Sequence, residues 1–267
     1  MPRPPLSGGT ILVPAEWSSP MRLDRHLEEL KIAQSTSDPR RVMPSVSPQC
    51  GRILDVGCGA GQTLIASHLS SSVVAIGVDK DFSALTLGKQ LKRSIHFVCS
   101  AGEQLPFADG YFDLVISRVA VPYMHIPTAL AEMARVMKPG GNLWIALHPF
   151  SMAWQGLLRS FCKLDLTGFL GGLFVITNGL AFHISGKLFR LPFSSSRSYE
   201  SFQTSKSIRR TLDSVGLGDI EISKGRHFVV TARRLPSLFL AEEQNKKPGR
   251  VHRLIHGHIL GRPHSSH

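Results

Sequence analysis

The stretch from Arg52 to Leu64, RILDVGCGAGQTL, places three glycines within five residues directly behind an apolar run. Glycine at that density costs backbone entropy, so it marks a chain that must turn with positive φ or approach something closely. RILDVG reads as a short buried strand and GQTLIASHLS as a helix. A strand, a glycine-rich turn and a helix, in that order, build the ligand-binding corner of doubly wound sheets, where ligands sit outside the carboxyl ends of the strands.

Outward from this corner the same grammar repeats. VVAIGVDKD is a second strand and DFSALTLGKQLKR a second helix. IHFVCSAGEQLPF holds a third strand, and FDLVISRVAV a fourth. PTALAEMARVMK is a helix with Pro127 in its first turn, where a missing N–H does no harm. PGG reads as the turn that closes it, and NLWIALH as a fifth strand. GLGDIEIS and RHFVVTARR alternate as an antiparallel pair that would finish the sheet. The expected architecture is an α/β, doubly wound, mostly parallel seven-stranded sheet.

The flanks differ. Residues 1–48 are broken by Pro and Ser and form an N-terminal helical cap, with Leu23, Leu27, Leu30 and Ala33 at helical spacing. Residues 49–149 are the ligand-binding core, 150–205 an apolar insertion between strands five and six, and 206–234 the closing strands. Residues 235–267 form a basic, His-rich tail poor in core formers, read as disordered. Within the insertion, Leu166 to Ile184 is nineteen residues without a charge. That approaches the roughly 20 residues of a membrane span. Its four glycines, Asn178 and His183 favour instead a helical lid, or a face resting on a membrane.

Charge is uneven. The chain carries a formal +12, but residues 1–148 hold 14 Lys/Arg against 12 Asp/Glu, whereas residues 149–267 hold 17 against 7. An anionic partner would meet the C-terminal half. Cys50, Cys58, Cys99 and Cys162 have no paired spacing, so neither a disulfide framework nor a metal site is expected, and a reducing compartment fits best. The N-terminus lacks a basic region followed by a long apolar stretch, which gives a cytoplasmic expectation, with contact to a membrane only from its surface.

The glycine spacing narrows the ligand. A dinucleotide fingerprint requires a third glycine where Gln62 stands, and a phosphate loop requires Lys-Ser/Thr, which GQT does not supply. Asp55 at the strand end would repel a pyrophosphate and attract a cation.

With these residues in view, ILDVGCGAGQT, GVDKD, AGEQLPFADGYFDLVISR and EMARVMKPGG, in this order over about a hundred residues, resemble the class I S-adenosylmethionine-dependent methyltransferases, close to the type 11 subgroup. The resemblance implies the Rossmann-like methyltransferase fold and S-adenosylmethionine as cofactor. It implies that Asp55 faces the methionine ammonium, while Gly57, Cys58, Gly59 and Gly61 form the loop. Asp79 would accept the ribose hydroxyls, Lys80, Gly102 and Glu103 would line the adenine, and Ser117 would border the methionine part. The family's Asp two residues before that Glu is Ala101 here, so Ser100 or a backbone group must substitute.

Methyl transfer is an in-line displacement in which the protein positions two partners and excludes water. A base is needed only if the acceptor carries a proton of high pKa. The candidates are Tyr123, His125 and His148, with Tyr199 reaching back from the insertion. VPYMHIP stands where the family often has two histidines. The Asn/Asp-Pro-Pro-aromatic motif of nucleic-acid amino-methylating enzymes does not follow the fourth strand, and no Cys has the context used for RNA carbon methylation. The expected acceptor is therefore small or lipid-like, not nucleic acid, with Lys187, Arg190 and Arg197 near anionic headgroups. The competing reading is a catalytically inactive cofactor-binding or partner-binding module of the same fold.

Overall fold

The computed structural model describes residues 20–191, 199–224 and 227–236. The tail expected to be disordered, apart from its first two residues, and Arg197 lie outside them. The chain divides into two units after Leu235, and every described element belongs to the first.

β1 (Arg52–Val56), β2 (Val74–Asp79), β3 (His96–Cys99), β4 (Phe112–Arg118), β5 (Met137–Leu147), β6 (Leu217–Lys224) and β7 (Phe228–Arg234) form one sheet. Their order is β3-β2-β1-β4-β5-β7-β6. The first five run parallel, β7 lies antiparallel to β5, and β6 antiparallel to β7. The expected seven-stranded, mostly parallel sheet is thus present. Its central strands are buried on both faces, which is why they read as unbroken apolar runs. Leu54, Val56, Val115 and Ile145 join one core, which also holds Leu130 and Met133 of α4 (Ile126–Val136) and Ile208 and Leu212 of α7 (Ser205–Ser214). Ile53, Leu114, Ile116 and Trp144 join the other. The strand order reverses between β1 and β4, so the crevice where a ligand belongs opens between Val56 and Arg118.

Two elements differ from the sequence reading. The helix after the glycine loop, α2, covers only Gln62–Ala66. The Ser67 hydroxyl donates back to the Thr63 carbonyl at 2.7 Å, and His68 adopts φ +48. A local side-chain bond of this kind competes with helix continuation. The expected PGG turn is instead absorbed into β5. Phe112 pairs with Met137 but Leu114 pairs with Asn142, so residues 138–141 bulge out of the ladder without ending the strand.

Arg135 in α4 explains the order of the segment before β4. Its guanidinium donates to the carbonyls of Leu105 and Phe107 at 2.9 and 2.8 Å and pairs with Glu132 and Asp109. Glu132 in turn accepts the Leu105 N–H at 2.8 Å. One helix therefore fixes the loop that borders the crevice.

Between β5 and β6 stand α5 (Phe150–Cys162) and α6 (Leu166–Ser185), a helical hairpin followed by α7. α6 is long and apolar enough to cross a membrane, yet its buried residues are only Asn178, Gly179 and Phe182. Asn178 pins it to the globular unit: its amide donates to the carbonyls of Phe189, Tyr199 and Glu200, each at 3.2 Å, and its oxygen accepts the Phe189 N–H at 2.8 Å. Arg210 of α7 donates to the Phe182 carbonyl at 2.6 Å and satisfies the helix end.

The glycines of α6 divide by environment. A Cβ at Gly179 would lie 2.2 Å from Phe202 Cδ1, whereas one at Gly171 meets nothing within 4 Å. Gly171→Ala is expected to raise the melting temperature through helix propensity, by about 0.5–1 kcal/mol. Gly179→Ala should lower it, and thermal melts of the two variants check both signs.

Candidate functional site

The glycine loop is built by its own backbone. The N–H groups of Gly57 and Cys58 both donate to the Val78 carbonyl, at 2.7 and 3.0 Å, and Gly61 N–H donates to the Cys58 carbonyl at 2.8 Å. Gly57 and Gly61 have φ +73 and +76. A Cβ at Gly57 would stand 2.2 Å from Ala120 Cβ, and one at Gly61 2.8 Å from the Phe97 ring. The protein's own packing therefore requires both, independent of any ligand.

Asp55 is 1 % exposed, and neither carboxylate oxygen has a hydrogen-bond partner among the described residues. Burial pushes its pKa up to about 7; the Arg118 guanidinium and, more weakly, the nearby Thr63 hydroxyl pull against burial, and Asp79 adds to it. A buried, unsatisfied carboxylate is costly unless something of opposite charge completes it. Asp79 ends β2, half-buried, and each of its oxygens accepts one backbone N–H: Gly59 at 2.8 Å and Asp81 at 2.9 Å. It locks the glycine loop to β2, and each carboxylate oxygen keeps acceptor capacity for a further hydroxyl.

The remaining expected cofactor residues take varied positions. Lys80 is exposed. Cys58 is buried, which pushes its thiol pKa up, so it is an inert packing group beneath the loop. Gly102 is buried, with room for a Cβ refused by Met124 Sδ at 2.6 Å. Glu103 accepts the His125 N–H at 2.9 Å and so closes the crevice rim. Ser100 donates its hydroxyl to the Gln104 carbonyl at 2.7 Å, leaving oxygen lone pairs that suit an amino group. Ser117 is fully buried and donates to the Val56 carbonyl at 2.7 Å, tying β4 to β1.

The expected catalytic residues gather over the ends of β4 and β5. The rings of Tyr123 and His148 meet edge to face at 5.4 Å, and those of His125 and Tyr199 at 5.2 Å. His125 Nδ1 shares a hydrogen bond with the Thr128 hydroxyl at 2.7 Å. The segment from Tyr199 to Gln203 roofs this cluster: Ser201 N–H donates to the Pro122 carbonyl and Gln203 N–H to that of His148.

Sequence reasoning missed the polar groups that α1 (Pro20–Gln34) brings to the loop. Gln62 Nε2 lies 3.0 Å from His26 Nδ1, and Arg118 Nη1 donates to Glu29 Oε2 at 3.3 Å. Arg118 was legible only as a charge placed directly after a buried apolar strand.

Comparison with known proteins places this geometry. Residues 54–145 match the family model described as a methyltransferase domain. A demethylmenaquinone methyltransferase of Renibacterium salmoninarum is 35% identical over 124 residues, 45% of this chain and 52% of that protein. A malonyl-[acyl-carrier protein] O-methyltransferase of Marinomonas is 33% identical over 120 residues, 41% of this chain and 44% of the relative. The chain thus spans about half the length of the curated relatives it matches. Human N-acetylserotonin methyltransferase, solved with its cofactor, shares the fold at TM-score 0.52 and 17% identity, over 80% of this chain and 56% of that one. Residues 54–145 thus carry the sequence pattern of that methyltransferase-domain family, and the fold agrees with it.

Because the folded pKa of Asp55 is raised, its charged form opposes folding. The cost is absent near pH 4, grows as the pH rises, and is fully present above about pH 7. Asp55→Asn should therefore gain stability relative to the parent as the pH goes from 5 to 8, in ligand-free thermal melts across that range.

Proposed function

We propose that the protein transfers a methyl group from S-adenosylmethionine to a small, lipid-like acceptor, as a cytoplasmic enzyme that meets the membrane from its surface. The observation that carries the cofactor reading is the buried, unpartnered carboxylate of Asp55, beside a loop locked by Asp79. A ligand with an ammonium, a diol and no phosphate completes both. Asp55 would hold the ammonium, Asp79 the two ribose hydroxyls, and Ser100 the adenine amino group in place of the family's Asp. Bound there, the cofactor supplies an electrophilic methyl on a sulfonium.

The chain's own contribution is position and exclusion of water. The 199–203 segment and the Tyr123–His148 pair roof the strand ends where the acceptor would lie. His125 and His148 are the groups that would take a proton from an acceptor that carries one. The names of the relatives support a lipid-like acceptor, since one methylates demethylmenaquinone and another an acyl-carrier-bound malonyl group.

The hairpin supports the same reading. Phe150, Met152, Trp154, Leu158, Phe161 and Leu164 all face solvent, as do Leu166, Leu170 and Ile184 of α6. Arg159, Lys163, Lys187 and Arg190 are exposed at its ends. An apolar face ringed by cations fits an anionic bilayer surface. The Asn178 anchor supports a helix that lies on that surface instead of crossing it.

Two measurements test the proposal. Calorimetric titration with S-adenosylhomocysteine should give saturable binding, weakened tenfold or more by Asp79→Ala; absence of heat with either cofactor form would favour the inactive partner-binding module. Phe161→Asp with Leu164→Asp should abolish co-sedimentation with phosphatidylglycerol vesicles and leave cofactor affinity unchanged; undiminished co-sedimentation would contradict the membrane face.

A further inference from the structure

Asp55 and Arg118 stand on opposite lips of the crevice at the switch point. Asp55 pairs in register with Ile116, and Arg118 follows two residues later, so both side chains lie on the same face of the sheet. That is the face on which α1 and α2 pack. The Arg118 side chain is only 9 % exposed. Its Nε donates to the Thr63 hydroxyl at 3.1 Å, which fixes the guanidinium against α2. A buried acid with no geometric hydrogen bond among the described residues, beside a nearly buried base, is the outline of a zwitterion: ammonium toward Asp55, carboxylate toward Arg118.

The present partner of Arg118 is poorly suited to be its final one. Glu29 reaches it through one oxygen at 3.3 Å, and the Glu29 side chain is 41 % exposed. A planar guanidinium binds a carboxylate most strongly through two short parallel bonds. Exposed as it is, Glu29 loses little by returning to water, whereas Arg118 is enclosed and must keep an anion. The two sides of the pair therefore differ: one is a fixed receptor and the other an exchangeable occupant.

We infer that Arg118 is the receptor for the α-carboxylate of the cofactor's amino-acid end and that Glu29 of α1 occupies it until the cofactor arrives. This rests on the cofactor reading given above. Together Asp55 and Arg118 would select a whole α-amino acid, not merely a cation, and cofactor entry would release the Arg118–Glu29 tie between α1 and β4. Gln62 and His26 form a second tie, so α1 stays attached on one side while the other opens.

The test compares S-adenosylmethionine with its decarboxylated form, which keeps the ammonium and sulfonium but lacks the carboxylate, by calorimetry on the full chain. Arg118→Met should bind S-adenosylmethionine roughly 10- to 100-fold more weakly than the parent. It should bind the decarboxylated form no more weakly than the parent does. Glu29→Gln, which removes the competing charge from an exposed position, should tighten S-adenosylmethionine several-fold and leave the decarboxylated form unchanged. Equal weakening of both ligands by Arg118→Met would assign Arg118 a structural role and overturn the inference. So would a parent chain that binds both ligands alike. A parent that binds neither would overturn the cofactor reading itself, and this inference with it.

Discussion

A carboxylate with no geometric hydrogen bond among the described residues, sealed near the tip of the central strand, is the constraint on which the rest of this structure turns. Asp55 is held there by covalent position: it is the fourth residue of β1, flanked by Leu54 and Val56, which fill one core. The strand cannot bury those two without carrying Asp55 to the edge of the crevice. The protein tolerates the resulting cost, which rises with pH as the group ionises. A site that is unfavourable when empty and favourable when matched is how binding energy is concentrated at one point.

Everything around Asp55 keeps it in that condition. The glycine loop bends away without offering it a donor, because Gly57 and Cys58 direct their N–H groups to Val78 and Gly59 directs its own to Asp79. Ser117, one residue short of the β4 tip, donates to Val56. Arg118 is close enough to pull the Asp55 pKa down but is engaged with Thr63 and Glu29. The backbone donors of the loop and the Ser117 hydroxyl are thus committed elsewhere, and beyond the nearby Thr63 hydroxyl the acid is left for a ligand. The insertion between β5 and β6 adds a separate capacity, since Phe182 of α6 joins the core while most of the hairpin's apolar surface faces outward.

Much of this was legible in the chain. Buried strands announce themselves as apolar runs, and ILDVG, VAIGVD and DLVIS mark a parallel core because each is followed by a segment of helical periodicity; the order of the strands came only with the structure. Asp55 and Asp79 were legible because they end such runs. The lengths of α2 and β5 were not, since a serine back-bond at Ser67 and a four-residue bulge at 138–141 are decided by local geometry that periodicity does not encode. Gly57 was legible as a position of positive φ or close approach, and the structure adds that Ala120 excludes a side chain there. Ser117 was legible only as a residue at the end of a buried strand; that its hydroxyl donates to the Val56 carbonyl was not. The Arg118–Glu29 pair, 89 residues apart in sequence, was beyond any local pattern.

The central claim is that an ammonium-bearing ligand takes over the charge of Asp55. Titrating the chain with S-adenosylhomocysteine near pH 6.5, in buffers of different ionisation enthalpy, counts the protons exchanged on binding. With a free-state pKa of about 7, Asp55 is largely protonated there and must ionise to meet the ammonium, so protons should be released, and Asp55→Asn should abolish the release. Binding without proton release, or a release that persists in Asp55→Asn, would contradict the account.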